Sequence, residues 1–296
     1  MTRRWAILAL AGAIAAVALA ACGGDDDKPA PTKAASPAAS VSTAPGGSAS
    51  APAASVTANV GFVLTLSGPN AAFGQSQQKG AQIALDEING KNAVPGVKIK
   101  ETFEDDAGER NQGIAAFNKL LSANVTAIIG PTLSNTAQAT DPVAQEKKVP
   151  VLGVSNTAAG ITDIGDYVFR NSLTEGDVVP QTISAVATKL KPKKAALMFA
   201  NDDAFSKSGA DVMRAELKKA NIEIVTEQQF STNDTDFRAQ LTNVRGQNPD
   251  VIVVSALIGP ATGIVTQARD LGLKQPIAGG NGFNSTQLIK NAGDAS

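Results

Sequence analysis

The 296-residue chain has no histidine, one cysteine, one tryptophan and one tyrosine. Each shortage removes a class of function. Without histidine there is no Ser-His-Asp or Cys-His catalysis and no His-containing zinc site. With Cys22 alone there is no disulfide within the chain. The scarcity of tryptophan and tyrosine takes away the aromatic platforms that sugar-binding enzymes commonly use. Carboxylate-only chemistry would fall to Asp105 and Asp106, or to Asp202 and Asp203. Each pair follows an expected strand, where acidic residues more often shape turns, so the chain reads as a non-enzyme with no metal and no cofactor. Basic and acidic residues nearly balance, 26 against 27. The longest basic grouping, Lys189 to Lys194, is interrupted by Pro192. No basic footprint for nucleic acid is present.

What the chain does have begins at its amino terminus. Arg3 and Arg4 precede an apolar run from Ala6 to Ala18, and Leu19-Ala20-Ala21 leads directly into Cys22. A charged start, a short apolar middle and small residues before a cut have the form of a secretory signal, and the run is too short to span a bilayer as a mature helix. The motif resembles a bacterial lipoprotein signal. That resemblance implies a leader over 1–21, cleavage before Cys22, a diacylglycerol on the Cys22 thiol, and residence as a lipid-anchored protein on the extracytoplasmic face of a membrane in the cell envelope. Losing Arg3 and Arg4 with the leader lowers 26 basic residues to 24, against 27 acidic ones. From Gly23 to Thr57 the sequence is mostly Ala, Ser, Pro, Thr and Gly. Such a composition cannot offset its conformational entropy by burial, so 22–57 is expected to be the lipidated cysteine and a disordered linker.

Beyond it, β-branched runs alternate with helical patterns. Strands are expected at Val60 to Leu66, Val97 to Phe103, Thr126 to Ile129, Val149 to Val154, Ala195 to Phe199, Ile222 to Val225 and Val251 to Val254. Apolar residues recur at helical spacing at Ala81, Ala84, Leu85 and Ile88, at Ile114, Phe117 and Leu121, and again in the stretches 210–220, 237–244 and 261–268. Strands this continuously apolar are buried on both faces, which predicts an α/β fold of mainly parallel sheets flanked by helices. The repeat breaks between Tyr167 and Pro180, which reads as a crossover between two lobes, 58–172 and 173–296. Open parallel sheets take ligands beyond the carboxyl ends of their strands, so two such lobes would enclose a cleft made of loops.

The order of short strings in this region carries a family resemblance. Leu66-Ser67-Gly68-Pro69, Phe73-Gly74, the helix end Ala84-Leu85-Asp86-Glu87-Ile88-Asn89, and Glu104-Asp105-Asp106-Ala107-Gly108 come first. Ile129-Gly130-Pro131 with Ser134, Pro150-Val151 leading to Ser155-Asn156-Thr157, and Asp234-Thr235-Asp236-Phe237 follow. Together they resemble the leucine/isoleucine/valine-type periplasmic solute-binding proteins of ABC importers, collinearly through Val60 to Gly293. The resemblance implies the two-lobed type I periplasmic-binding-protein fold. It also implies capture of a branched-chain or related amino acid, or an amide or carboxylate analogue, for an ABC permease in the membrane. The same fold also serves extracellular receptors, so a tethered ligand sensor is the alternative.

The resemblance places a ligand carboxylate at Ser134 and at the segment Ser155 to Thr157, and a side-chain pocket at Phe73, Phe205 and Ile258. Ser134 stands between a strand and a helix, where free N–H groups and the positive helix end favour an anion, and it is itself a good N-cap type. Two departures stand out. Asn281, in Gly279-Gly280-Asn281-Gly282-Phe283, takes the place of an acidic residue that pairs with the ammonium in amino-acid binders, and Ile258 takes a place commonly held by tyrosine. An amide cannot neutralise an ammonium in a dry cleft, so a carboxylate or amide ligand with an apolar tail is expected in preference to a zwitterion. The resemblance further implies a return of the chain to the first lobe beyond the region matching Ser296, which 173–296 lacks.

Overall fold

The computed structural model describes residues 55–295. The expected leader, Cys22 and the expected linker as far as residue 54 lie outside the described residues. The first sheet is built from β1 (Val56–Leu64), β2 (Val97–Asp105), β3 (Ala127–Ile129), β4 (Val151–Gly153) and β5 (Val168–Arg170), in the order β2-β1-β3-β4-β5. Helices α1 (Ala71–Gly90), α2 (Arg110–Ser122) and α3 (Ser134–Lys147) connect its strands. The second sheet has β6 (Lys194–Ala200), β7 (Glu223–Phe230), β8 (Val251–Ser255) and β9 (Ile277–Gly279), in the order β7-β6-β8-β9. Its helices are α4 (Glu175–Leu190), α5 (Ala204–Lys219), α6 (Arg238–Gln247), α7 (Ile258–Asp270) and α8 (Thr286–Ala292).

Every strand pair is parallel, as continuously apolar strands require when helices cover both sheet faces. All five residues of β8 are buried, with Ile252 and Val254 packed towards α6 and α7 and Val251 and Val253 towards α4 and α5. In the first sheet Val63, Ile128 and Val151 pack on Phe117 and Leu120 of α2. Each such burial contributes about 1.5–3 kcal/mol. At the sheet edge β2 alternates between exposed and half-buried positions, the pattern of a strand covered on one face.

Four elements differ from the sequence expectation. The first strand begins at Val56, inside the expected linker, because Val56 and Thr57 continue the ladder by pairing with Val97 and Lys98. Val168–Arg170, expected as irregular crossover, pairs with Val151–Gly153 as β5, and the polar stretch after it is α4, with Pro180 inside the helix. That helix starts with a capping box, Thr174 and Asp177 bonding each other's backbone, and its apolar face of Val179, Ile183 and Val186 packs on the second sheet. The short β9 gave no periodic signal over its three residues.

The parallel arrangement sends the carboxyl ends of β1, β3 and β4 and of β6, β8 and β9 to the loops that form the cleft. Gly130 sets the turn after β3. Its φ is 117°, and a Cβ there would strike the Val63 carbonyl, so only glycine lets the chain turn this close to β1 into α3.

Candidate functional site

A cavity of about 680 Å³ lies between these loops, with walls from both sheets' connections. One half is apolar. Leu133, Phe205 and Leu257 are buried against one another, and Phe73 of α1 packs on them. Phe205 belongs to the first turn of α5, not to the loop before it, and its ring is held between the two lobes.

The other half is polar and is organised by the start of α3. The N-cap of this helix is Leu133, so Ser134 is its first residue and not the cap. No side chain caps the helix, which leaves first-turn N–H groups and the positive helix end directed at the cavity wall. The Ser134 hydroxyl accepts from the Ala158 backbone N–H at 3.2 Å, tying α3 to the loop after β4. In that loop Ser155 Oγ is occupied on both sides: Gln77 Nε2 donates to it at 2.7 Å and it donates to the Thr132 carbonyl at 2.7 Å. Thr157 Oγ1 donates at 3.0 Å to Oε1 of Glu175.

Of the seven site residues expected from sequence, Phe73, Ser134, Ser155, Thr157, Phe205 and Asn281 line this cavity. Ile258 does not. It is buried as the first residue of α7, and the helix geometry turns Leu257, its N-cap, to the wall instead.

The residue that sequence reading missed is Glu175. It is fully buried, yet it is the first residue of α4, a position where acids are usually solvated. Its Oε1 accepts from Thr157 and from Asn281 Nδ2, while its Oε2 has no partner. Burial pushes its carboxyl above the usual range; the bonds from Asn281 and Thr157 pull the other way, and the nearby Asp203 carboxylate adds to the rise. The capping pattern of Thr174 and Asp177 marks the helix start, but nothing local marks Glu175 as buried.

The acidic pairs weighed for catalysis act as turn and cap formers. Asp105 accepts from the Leu66 and Ala107 N–H groups at 2.8 Å, and Asp106 from Thr65 Oγ1 at 2.6 Å and the Gly108 N–H at 2.8 Å. Asp203 caps α5 through the Ser206 N–H at 2.8 Å, and Asp202 holds Ser231 and Thr232. Among the described residues no group of three His, Cys, Asp or Glu side chains could hold a metal, and no helix is long and apolar enough to cross a membrane.

Residues 57–296 match the family model described as periplasmic binding protein. The chain is 30% identical over 247 residues to the Leu/Ile/Val-binding protein BraC3 of Rhizobium johnstonii, covering 83% of this chain and 67% of that protein. It is 25% identical over 237 residues to the Leu/Ile/Val-binding protein of Escherichia coli K12, covering 80% and 64%. The chain thus spans about two thirds of the length of these relatives. Among solved structures, the branched-chain amino acid transporter substrate-binding protein LivJ from Streptococcus pneumoniae, in complex with isoleucine, superposes with a TM-score of 0.75 at 34% identity, over 80% of this chain and 68% of that one. A solute-binding protein of an ABC transporter from R. palustris, in complex with 4-hydroxybenzoate, shares the fold with a TM-score of 0.74 at 24% identity, over 81% and 66%. With two parallel sheets flanked by helices and the family match across both, this chain belongs to the periplasmic binding proteins and has their type I fold.

Proposed function

We propose that the chain is the ligand-capturing component of an ABC importer. In this reading lobes 58–172 and 173–296 close on a branched-chain amino acid, or a related carboxylate or amide, with lipid on Cys22 holding the protein at the extracytoplasmic face. The observation that carries this reading is the division of one cavity into an uncapped helix start at Ser134 and an apolar wall of Phe73, Phe205 and Leu257. A carboxylate suits the first, because N–H groups and the helix dipole meet an anion there without a fixed cation. An aliphatic tail suits the second. The Leu/Ile/Val-binding relatives and the isoleucine complex support the same ligand class.

Calorimetry with leucine, isoleucine, valine and their 2-oxo analogues tests the reading. Binding of at least one of them is expected, and Ser134→Ala is expected to weaken it by about 10-fold or more, the scale of one lost hydrogen bond to a charged group. Unchanged affinity in this variant would sink the assignment of the anion locus. Loss of solute uptake on deletion of the gene tests the transport role.

A further inference from the structure

The Glu175 carboxylate stands one side chain behind the cavity wall. Both groups that donate to its Oε1, Thr157 Oγ1 and Asn281 Nδ2, belong to residues lining the cavity. Asn281 Nδ2 directs its other contact to the Leu173 carbonyl at 3.5 Å. With these hydrogens turned inward, what the two residues can still offer a ligand is oxygen lone pairs, on Thr157 Oγ1 and Asn281 Oδ1. This corner therefore complements a donor, whereas the start of α3 complements an acceptor.

The second oxygen of Glu175 is confined. A Cβ on Gly280 would stand 2.6 Å from Oε2 and one on Gly209 3.2 Å from it, and both Oε2 and the neighbouring Ser255 Oγ lack partners. The groups shown around the carboxyl are Thr157 from the loop after β4, Asn281 and Gly280 from the loop after β9, and Gly209 of α5. The charge of Asp203, the N-cap of α5, opposes its anion; Asp177 on the same helix is exposed and bonded to Thr174. Among the described residues no lysine or arginine forms an ion pair with Glu175. A buried carboxyl with half its acceptor capacity unmet and no cation beside it favours the neutral acid, and a cation beyond the Thr157 and Asn281 wall reverses that preference.

We propose that Glu175 is the specificity-determining residue of the cleft: as an anion it is the counter-charge for a ligand ammonium held by Thr157 Oγ1 and Asn281 Oδ1, and as a neutral acid it leaves the same wall to a ligand without an ammonium. This rests on the cleft-binding reading above. Entry of an ammonium displaces the Glu175 proton to solvent, while a 2-oxo acid leaves it in place, so neutral Asn281 does not exclude a zwitterion.

Calorimetry of leucine and of 4-methyl-2-oxopentanoate on the wild-type chain, in buffers of different ionisation enthalpy at mildly acidic pH, reads the proton directly. Net proton release is expected with leucine and not with the oxo acid. In Glu175→Gln, leucine is expected to weaken by about 10-fold or more with its proton release gone, while the oxo acid stays within about threefold. Equal proton exchange for the two ligands, or an unchanged ratio of their affinities in Glu175→Gln, overturns the proposal while leaving cleft binding intact. If neither ligand binds the wild-type chain, the functional reading falls and this proposal with it. The proton measurement uses the wild-type chain, so it decides the matter even if Glu175→Gln does not fold.

Discussion

The backbone N–H of Ala204 donates to Asn135 Oδ1 at 2.8 Å, joining the first turn of α3 in one lobe to the first turn of α5 in the other. The Asn135 amide returns a bond to the Asp202 carbonyl at 3.2 Å. Nearby, the Ala159 N–H donates to Ser208 Oγ at 3.0 Å, a second link across the same gap. These contacts hold the lobes together beside the cavity without touching the groups assigned to the ligand.

Asn135→Ala removes both bonds of the first link. At about 0.5–1.5 kcal/mol each, their loss is expected to weaken ligand binding by about 5- to 150-fold through a less favourable closed form. Small-angle scattering should show a larger radius of gyration for the ligand-free variant. An affinity and a radius equal to those of the wild-type chain would show that the link does not govern closure.

Phe205→Ala empties the centre of the apolar wall, where the ring packs on Leu133 and Leu257. A cost of about 3 kcal/mol in stability is expected, with a lower Tm, because the two lobes cannot both relax into the space. Affinity for long-tailed ligands should fall more than affinity for short ones. Equal losses for valine and leucine would argue that the ring supports the fold without meeting the tail.

Gly280→Ala places a methyl group 2.6 Å from Glu175 Oε2. The backbone there has an ordinary negative φ of −86°, so the cost is steric and not conformational. About 1–3 kcal/mol of destabilisation is expected, because the carboxyl, held by Thr157 and Asn281, must shift to admit the methyl group. Chemical denaturation measures it. Full stability in this variant would mean that the recess around Oε2 is roomier than the packing indicates.

Asp141, buried in α3 with one oxygen lacking a partner, has its carboxyl pushed up to about 7 by burial. A carboxyl whose folded pKa lies above the unfolded value of 3.8 holds its proton more tightly in the native state. Its contribution to stability is complete below 3.8 and is lost as pH rises through about 7. Asp141→Asn should remove this slope, so that the variant gains on the wild-type chain between about pH 4 and pH 8, by at most about 4 kcal/mol. Denaturation curves at several pH values check the difference between the two proteins. Parallel stability profiles would place the burden on other groups, since Asp106, Asp203 and Glu175 shift in the same direction.

Local spacing was enough to establish the layered α/β architecture. Runs such as Val251 to Val254 and helical faces such as Ala261, Ile264, Val265 and Ala268 encode their burial within a few residues, because backbone period alone decides which side chains share a face. Ser134 was legible for the same reason, as the residue between a strand end and a helix start. The fate of Glu175, the turning of Leu257 rather than Ile258 to the cavity, and the Asn135 link to α5 were decided by segments about 20 to 125 residues away in the chain. Whether a carboxyl is solvated or sealed depends on what packs across from it. Only the meeting of the loops after β4 and β9 and of helix α5 with the start of α4 put Glu175 in the dark behind the cavity wall.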